Sequence, residues 1–282
     1  MTVRCPAKIN LDLRVGPLRP DGFHSIRSWF VTVGLYDELT IAPADTVRLT
    51  CGDASIPTDD RNLVVRAANA LRANGGPSGG AGVAMHLTKR VPAGGGLGGG
   101  SSDAAAALVA LNEFWQLRLP VDRLHAVAAT IGSDVPFFLH GPSSLCEGRG
   151  EVVTPVPPPA CGWAVLILPP IEMPTPAVFR KLDELRPDAP EPSSIHRPLT
   201  APDTTGLLTS LVNDLEAAAF ALRPDLADLR TAASALVRQP VRMSGSGSTL
   251  FTLYDDEPEA VAISQLVSRQ LGIRALAVSI AS

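Results

Sequence analysis

A glycine-rich run, PAGGGLGGGSS from Pro92 to Ser102, places six glycines in eleven residues directly before an alanine-rich segment. Glycine allows φ > 0 and lets a ligand approach the backbone without meeting a Cβ. The following segment has apolar residues at helical spacing, with Ser101 or Ser102 as a suitable N-cap, and predicts a helix over about 102–116. Because the first N–H groups of a helix lack intrahelical partners and its dipole is positive there, this junction favours an anion. We therefore expect a phosphate site, with a nucleoside triphosphate as the first candidate ligand.

A flexible linker is the alternative interpretation of this run. Linkers lie between domains in polar, low-complexity sequence, whereas this run follows the strand-like GVAMHLTKRV and leads into an amphipathic helix. The preceding GGPSGGAG, over 75–82, fits a linker better. Gly94, Gly96 and Gly99 also match the dinucleotide pattern G-x-G-x-x-G, but an early βαβ unit and a well-placed ribose-binding acid are missing. The P-loop ending G-K-[ST] and the protein-kinase motifs are absent too.

Length and composition limit the classes of protein to which this chain can belong. With 282 residues, of which 45% are hydrophobic and 18% charged, the chain is expected to form about two folded domains. A formal net charge of -4 disfavours a nucleic-acid surface, and the four cysteines lack C-x-x-C spacing and are interpreted as reduced thiols. No signal peptide or apolar run of about 18 residues is evident, so we expect a cytoplasmic protein without a membrane partner. The sequence is compatible with a monomer and with a loose homodimer.

The order of predicted elements indicates an α+β fold. The first fifty residues resemble strands, a helix is predicted from about Asn62, and a strand ends at Val91 before the long helix and a further one in VDRLHAVAATIG. The proline-rich VVTPVPPP marks a boundary, which predicts an N-terminal domain over 1–154 and a C-terminal domain over 155–282. In the second half we predict a buried strand in WAVLILPP, an exposed loop over 183–206, and helices in LVNDLEAAAFALRP, DLADLRTAASALVRQ and PEAVAISQLVSRQL. Helices packed on a small antiparallel sheet satisfy this pattern.

Three separated segments resemble one known superfamily. They are PAKINLDL with RPDGFHSI, then PAGGGLGGGSSDAA, and finally RMSGSGSTLF. Together they are similar to the GHMP kinases, the superfamily of galactokinase, homoserine kinase, mevalonate kinase and phosphomevalonate kinase. Within it, PAKIN, D-G-[aromatic]-H, G-x-D-V-P-F-F and P-T-P-x-x-F in that order resemble the members that act on a cytidine-diphosphate-linked methylerythritol. The resemblance spans nearly the whole chain.

The resemblance implies a fold and a reaction. The fold is the two-domain GHMP kinase fold, with a ribosomal-protein-like α+β domain followed by helices on an antiparallel sheet. The reaction is transfer of the γ-phosphoryl group of ATP to the 2-hydroxyl of the methylerythritol, in isoprenoid precursor synthesis by the non-mevalonate pathway. Mg²⁺ is expected with ATP because the metal offsets triphosphate charge.

The resemblance also assigns roles to residues. Asp134 matches the family's catalytic carboxylate, which accepts the proton of the attacking hydroxyl, and Lys8 matches its lysine partner. Asn10 would position the substrate. Phe23 and Phe179 match the aromatic residues on either side of the cytosine, and His24 matches the residue that hydrogen-bonds its edge. Family members have Tyr where this chain has Phe23, so a hydroxyl is missing here. Thr175 lies nearby.

Residues matching the nucleotide site surround the glycine run. Asn62, Leu63 and Lys89 match positions around the adenosine. The loop itself comprises Pro92, Ala93, Gly94, Gly95, Gly96, Leu97, Gly98, Gly99, Gly100, Ser101 and Ser102. A second glycine-rich turn, SGSGS over 244–248, is expected beside the active site. No magnesium ligand is identified from the sequence.

Two alternatives remain open at this stage. One is another small-molecule kinase of the same superfamily with a different acceptor, which the D-G-F-H motif disfavours. The other is a nucleotide sensor that keeps the scaffold without the chemistry, because fold and function are separable. The presence of both Lys8 and Asp134 argues against that loss.

Overall fold

Two long N-terminal strands form the centre of the fold. The computed structural model describes residues 1–76, 82–187 and 203–281. Strand β1 (Thr2–Leu18) pairs antiparallel with β2 (His24–Ala44), and register shifts along both strands mark bulges. The predicted linker at 75–82 lies mostly outside the described residues, and the predicted loop at 183–206 lies outside them over 188–202.

The first sheet uses the strands of the N-terminal half. Its order is β3-β4-β2-β5-β6, with β1 paired to β2, and only the β3–β4 pair is parallel within the described residues. The additional strands are β3 (Val47–Cys51), β4 (Gly82–Thr88), β5 (Ser143–Gly148) and β6 (Val152–Pro155).

Three helices cover this sheet. They are α1 (Leu63–Ala73), α2 (Gly99–Phe114) and α3 (Val121–Ile131), and a short 3₁₀ helix (Pro136–Leu139) follows. Ala104, Ala105 and Ala107 of α2 are fully or almost fully buried. Small side chains allow close helix packing, which places the start of α2 beside the central strands.

The second sheet is antiparallel, in the order β10-β7-β9-β8. Its strands are β7 (Trp163–Leu168), β8 (Arg242–Met243), β9 (Leu250–Tyr254) and β10 (Arg274–Ser279). The helices of this half are α4 (Thr175–Leu185), α5 (Thr204–Ser210), α6 (Glu216–Leu222), α7 (Pro224–Val237) and α8 (Glu257–Leu271). The predicted α+β class and the predicted strand in WAVLILPP are confirmed.

A shared apolar cluster joins the two sheets. Ile9 and Val31 from the first sheet pack in it with Leu166 and Phe251 from the second, and all four are fully buried. Burial of such side chains contributes about 1.5–3 kcal/mol each. The domain boundary at 154/155 stays a prediction.

Two predicted helices and one predicted loop need correction. Helix α2 begins at Gly99, not near Ser102, and its N-cap is Gly98 (φ +67°) without a side-chain cap. Helix α6 begins at Glu216 because the Asn213 side chain accepts the N–H of Leu215 and its backbone forms a β-bridge to Leu13. The two ends of the predicted loop at 183–206 are helical, in α4 and α5.

Among the described helices, none combines the length and the apolar character needed to cross a bilayer.

Candidate active site

One cavity of about 900 Å³ collects the predicted site residues. The loop contributes every residue from Pro92 to Ser101. Lys8, Asn10, Phe23, His24, Asn62, Leu63, Lys89, Asp134, Thr175 and Phe179 also line it. Ser102 is the exception, since its side chain is buried in the first turn of α2 and lies away from the cavity wall.

Lys8 and Asp134 both line this cavity and form an ion pair there. Lys8 is almost fully buried on β1, and its Nζ lies 3.5 Å from Oδ2 of Asp134. The same ammonium donates to Asn10 Oδ1 at 2.5 Å and lies 4.6 Å from the centroid of the Phe30 ring. The Asn10 amide in turn donates to Ser28 Oγ at 2.9 Å. These contacts hold the lysine in one position beside a carboxylate whose side chain is 31% exposed.

Backbone contacts attach the glycine loop to β1 and to the SGSGS turn. The N–H of Lys8 donates to the Leu97 carbonyl at 2.9 Å. Ser244 Oγ donates to the Gly96 carbonyl at 2.9 Å, and the N–H of Thr249 donates to the Gly95 carbonyl at 3.2 Å. The loop is therefore fixed from both halves of the chain, and the second glycine-rich turn lies beside the site.

The start of α2 is available for an anion. Gly98 precedes the helix in the left-handed region, and a Cβ at this position would lie 2.9 Å from Lys8 Cγ. Without a side-chain cap, the first N–H groups of α2 lack intrahelical partners, and Gly99, Gly100 and Ser101 all line the cavity. Helix start and loop together present the backbone N–H groups and the positive end of a helix dipole, which favour an anion such as phosphate.

Lys89 lies in a buried cluster behind the loop. Its ammonium contacts Asp37 and also Asp103, the latter at 2.7 Å. Asp37 is fully buried, and its Oδ1 accepts the backbone N–H groups of Arg90 at 2.5 Å and Val91 at 2.9 Å. Lys89 thus lines the cavity with its charge already paired, and Asp37 anchors the chain as it enters the loop.

Asp103 shares its lysine with Asp37. Burial, reinforced by the Asp37 charge and opposed by Lys89, raises the pKa of the Asp103 carboxyl to about 7. Between its ordinary pKa near 3.8 and about 7, the folded state therefore holds a proton that the unfolded chain releases. The stabilisation that Asp103 contributes is fully present below a pH of about 3.8 and is lost as the pH rises to about 7.

Replacing Asp103 by Asn should remove this pH dependence. We expect the free energy of unfolding of the unsubstituted protein, relative to Asp103→Asn, to fall as the pH rises from about 4 to about 7. Urea denaturation at several pH values measures the difference. Asp228→Asn, which removes a carboxylate at an exposed position of α7, is the control for the loss of a negative charge. If the difference in free energy of unfolding between Asp103→Asn and the unsubstituted protein did not change with pH, Asp103 would not be the titrating group.

The far end of the cavity is aromatic. The His24 ring stacks on Phe179 with centroids 5.2 Å apart, and its Nδ1 donates to the Gly16 carbonyl at 3.0 Å. Nε2 of His24 lies 3.4 Å from Asp183 Oδ1. Phe23 is 48% exposed. The structure therefore brings the three predicted aromatic residues to one end but stacks Phe179 on His24.

Asn62, Leu63 and Thr175 complete the predicted set. Asn62 is the N-cap of α1, since its Oδ1 accepts the N–H of Val64 at 2.9 Å, as its predicted place at a helix start required. Leu63 lies against the loop, 3.9 Å from a Cβ placed on Gly100. Thr175 Oγ1 is 2.8 Å from Ser246 Oγ, which links α4 to the second glycine-rich turn.

Sequence reasoning missed several residues at this site. Asp37 and Asp183 gave no local signal, because isolated acids in strand and loop patterns are usually solvated. Asp103 did give a local signal, because it is a charged residue on a face of an alanine-rich helix whose other residues are small and apolar. Arg149 also lines the cavity and lies between two glycines.

The carboxylates of the site indicate how a magnesium ion could be held there. Residues 1–76, 82–187 and 203–281 hold no group of three or more His, Cys, Asp or Glu arranged for a metal ion. Mg²⁺ usually keeps several waters and is bound by one or two carboxylates together with substrate phosphates. Asp134 is a partly exposed carboxylate near the loop. The donor set therefore fits a Mg²⁺ that arrives with a triphosphate.

Comparison with protein-family models finds two matches. The GHMP kinases N terminal domain matches residues 62–142, which include the glycine loop. The GHMP kinases C terminal domain matches residues 204–272. The superfamily inferred from the motifs is confirmed.

Comparison with curated relatives and a solved structure identifies one family within this superfamily. A 4-diphosphocytidyl-2-C-methyl-D-erythritol kinase from Thermobifida fusca (strain YX) is 43% identical over 274 residues, covering 92% of this chain and 89% of that relative. The protein of the same name from Geobacillus kaustophilus (strain HTA426) is 38% identical over 260 residues, covering 91% and 89%. A crystal structure of 4-(cytidine 5'-diphospho)-2C-methyl-D-erythritol kinase superposes with a TM-score of 0.77 at 33% identity, over 100% of both chains.

More distant structures share the fold alone. Homoserine kinase from Cytophaga hutchinsonii ATCC 33406 superposes with a TM-score of 0.69 at 22% identity, over 99% of this chain and 94% of that one. The motif pattern, the fold and the level of identity thus agree. The chain belongs to the GHMP kinases and, within them, to the family of 4-diphosphocytidyl-2-C-methyl-D-erythritol kinases.

Proposed function

We propose that this protein transfers the γ-phosphoryl group of ATP to the 2-hydroxyl of 4-diphosphocytidyl-2-C-methyl-D-erythritol, in the non-mevalonate route to isoprenoid precursors. The Lys8–Asp134 pair carries the proposal, because it lies between a phosphate-binding loop and an aromatic cavity end. Family membership supplies the substrate class. We further propose that the protein acts in the cytoplasm as a monomer or loose homodimer, without a nucleic-acid partner.

Asp134 and Lys8 have complementary roles in this reaction. Phosphoryl transfer needs the alcohol in line and the phosphate charge compensated, with little covalent participation by the protein. The partly exposed Asp134 carboxylate accepts the hydroxyl proton, and the adjacent Lys8 ammonium stabilises the oxygen as negative charge develops. Asn10, which accepts from Lys8, keeps that ammonium oriented.

The glycine loop and the start of α2 bind the triphosphate. Their free N–H groups and the helix dipole compensate its negative charge. Mg²⁺ bound with the nucleotide would neutralise further charge, with Asp134 as the partly exposed carboxylate nearby. Asn62 and Leu63 lie where the adenosine would rest against the loop.

The aromatic end fits the cytosine. Phe23 offers an exposed ring for stacking, which tolerates any base. His24 bonds the Gly16 carbonyl through Nδ1, and its Nε2 lies 3.4 Å from Asp183 Oδ1, so the imidazole and this carboxylate together face the edge of the base. Cytosine carries an exocyclic amino group that uracil lacks, and the Asp183 carboxylate offers that group an acceptor.

A coupled ADP-release assay tests the proposal. Purified protein with Mg-ATP is given 4-diphosphocytidyl-2-C-methyl-D-erythritol, and mevalonate, homoserine and galactose are the alternative acceptors. We expect turnover with the cytidylyl substrate alone. Turnover with another acceptor only would retain a kinase but remove the roles of Phe23, His24 and Phe179, and ATP binding without turnover would indicate a nucleotide sensor.

A further inference from the structure

Arg149 lines the part of the cavity that contains Asp134 and Phe23, where the acceptor substrate is proposed to bind. It occupies the turn between β5 and β6, next to Gly150. A Cβ placed on Gly150 would lie 3.4 Å from Oδ1 of Asp134, so the turn that holds Arg149 passes close to the acid. From this turn the Arg149 side chain reaches Phe23, with the guanidinium carbon 4.9 Å from the ring centroid. The turn that holds Arg149 and Gly150 thus extends from beside Asp134 to Phe23.

The Arg149 guanidinium keeps donors free for a ligand. Its Nε lies 3.6 Å from Glu151 Oε1, while the other Glu151 oxygen accepts the backbone N–H of Arg149 at 2.6 Å. Its Nη2 donates to the Ala129 carbonyl only at 3.5 Å. By contrast, the Lys89 ammonium is held directly by two carboxylates. The positive charge of Arg149 is therefore loosely compensated, and its side chain remains 27% exposed.

We propose that Arg149 binds the diphosphate of the acceptor substrate. This inference rests on the proposed function, which places the base at Phe23 and the reacting hydroxyl at Asp134. The diphosphate joins these two parts of the substrate, so it must pass along the wall that Arg149 spans. A guanidinium suits this task because its planar donors contact phosphate oxygens in pairs. Stacking on Phe23 holds the side chain in that orientation.

Binding of two fragments isolates the phosphate contact. Affinities for cytidine and for cytidine diphosphate are measured by calorimetry, with a non-hydrolysable ATP analogue occupying the glycine loop. Loss of charge-assisted hydrogen bonds in Arg149→Met should weaken cytidine diphosphate by about 10- to 100-fold. Cytidine should bind as in the unsubstituted protein, and Arg149→Lys should restore part of the lost affinity.

Two other arginines serve as comparisons. Arg180 also lines the cavity and tests whether any nearby cation suffices, whereas Arg269 is exposed on α8 and tests general loss of charge. Arg269→Met should change neither affinity. A loss of cytidine diphosphate binding in Arg180→Met but not in Arg149→Met would overturn the assignment.

The remaining outcomes separate this inference from the proposed function. Equal weakening of cytidine and cytidine diphosphate in Arg149→Met would show that Arg149 only supports Phe23, and would overturn the inference. Unchanged affinity for both fragments in that variant would overturn it too, while leaving the proposed function intact. If the unsubstituted protein bound neither fragment, the proposed function itself would fail.

Discussion

Replacing Asp134 by Asn is expected to lower kcat by about 10²- to 10⁴-fold, the usual contribution of a positioned general base. The amide keeps the shape of the side chain but cannot accept the hydroxyl proton, and it removes the charge that faces Lys8 at 3.5 Å. Because the side chain is 31% exposed, little packing is lost. The melting temperature should therefore stay close to that of the unsubstituted protein.

The measurement is ADP release at saturating Mg-ATP and acceptor, with a thermal melt of each variant. Asp228→Asn removes an exposed carboxylate on α7 and is the matched control, with normal kcat expected. Near-normal kcat in Asp134→Asn would remove this residue from its assigned role. A low kcat accompanied by a large fall in melting temperature would point to a structural cause instead.

Replacing Gly96 by Ala is expected to disrupt the glycine loop. Gly96 has φ +76°, and a Cβ there would lie 2.2 Å from the Ser244 carbonyl oxygen. That carbonyl belongs to the turn whose Ser244 hydroxyl bonds the loop, so neither backbone can move without breaking the contact. Gly94 also has a positive φ, +68°, but nothing lies within 4 Å of its added Cβ. The two positions therefore separate conformational strain from steric clash.

Gly94→Ala should cost about 1–2 kcal/mol through the left-handed conformation alone. Gly96→Ala should cost about 1–3 kcal/mol more, which is typical of overpacking, and should also raise KM for ATP. Urea denaturation gives the free energies of unfolding, and ADP release gives KM. Equal losses of stability in the two variants would mean that the loop moves away from Ser244 easily.

The α2 start shows where local reasoning succeeds and where it ends. The glycine run and the alanine-rich segment predict a phosphate loop followed by a helix, and the structure has a glycine loop followed by α2. The helix starts at Gly99 because Gly98 takes the left-handed conformation and packs against Lys8, which lies 90 residues earlier in the chain. A serine N-cap is a local preference, and a tertiary contact outweighed it.

The Lys8–Asp134 pair illustrates a second limit. Nothing in either local pattern predicts that these residues meet, and only the resemblance to a family placed them together. Local pattern also does not predict that the Asn213 amide donates to the carbonyls of Met243 and Gly245 at 2.8 Å each, which holds the residue before α6 against a distant turn. Pairings across such distances depend on how sheets and helices pack, which periodicity does not encode.

Local sequence was enough to predict the α+β class, the α1 helix from about Asn62, and a glycine loop leading into a helix, because each depends on neighbouring residues and on the conformational range of glycine. Tertiary structure alone decided that Lys89 is paired with Asp37 and Asp103, that Phe179 stacks on His24, and that Arg149 reaches Phe23. Charges and rings choose partners by distance and burial, and these are set only when distant segments of the chain pack together.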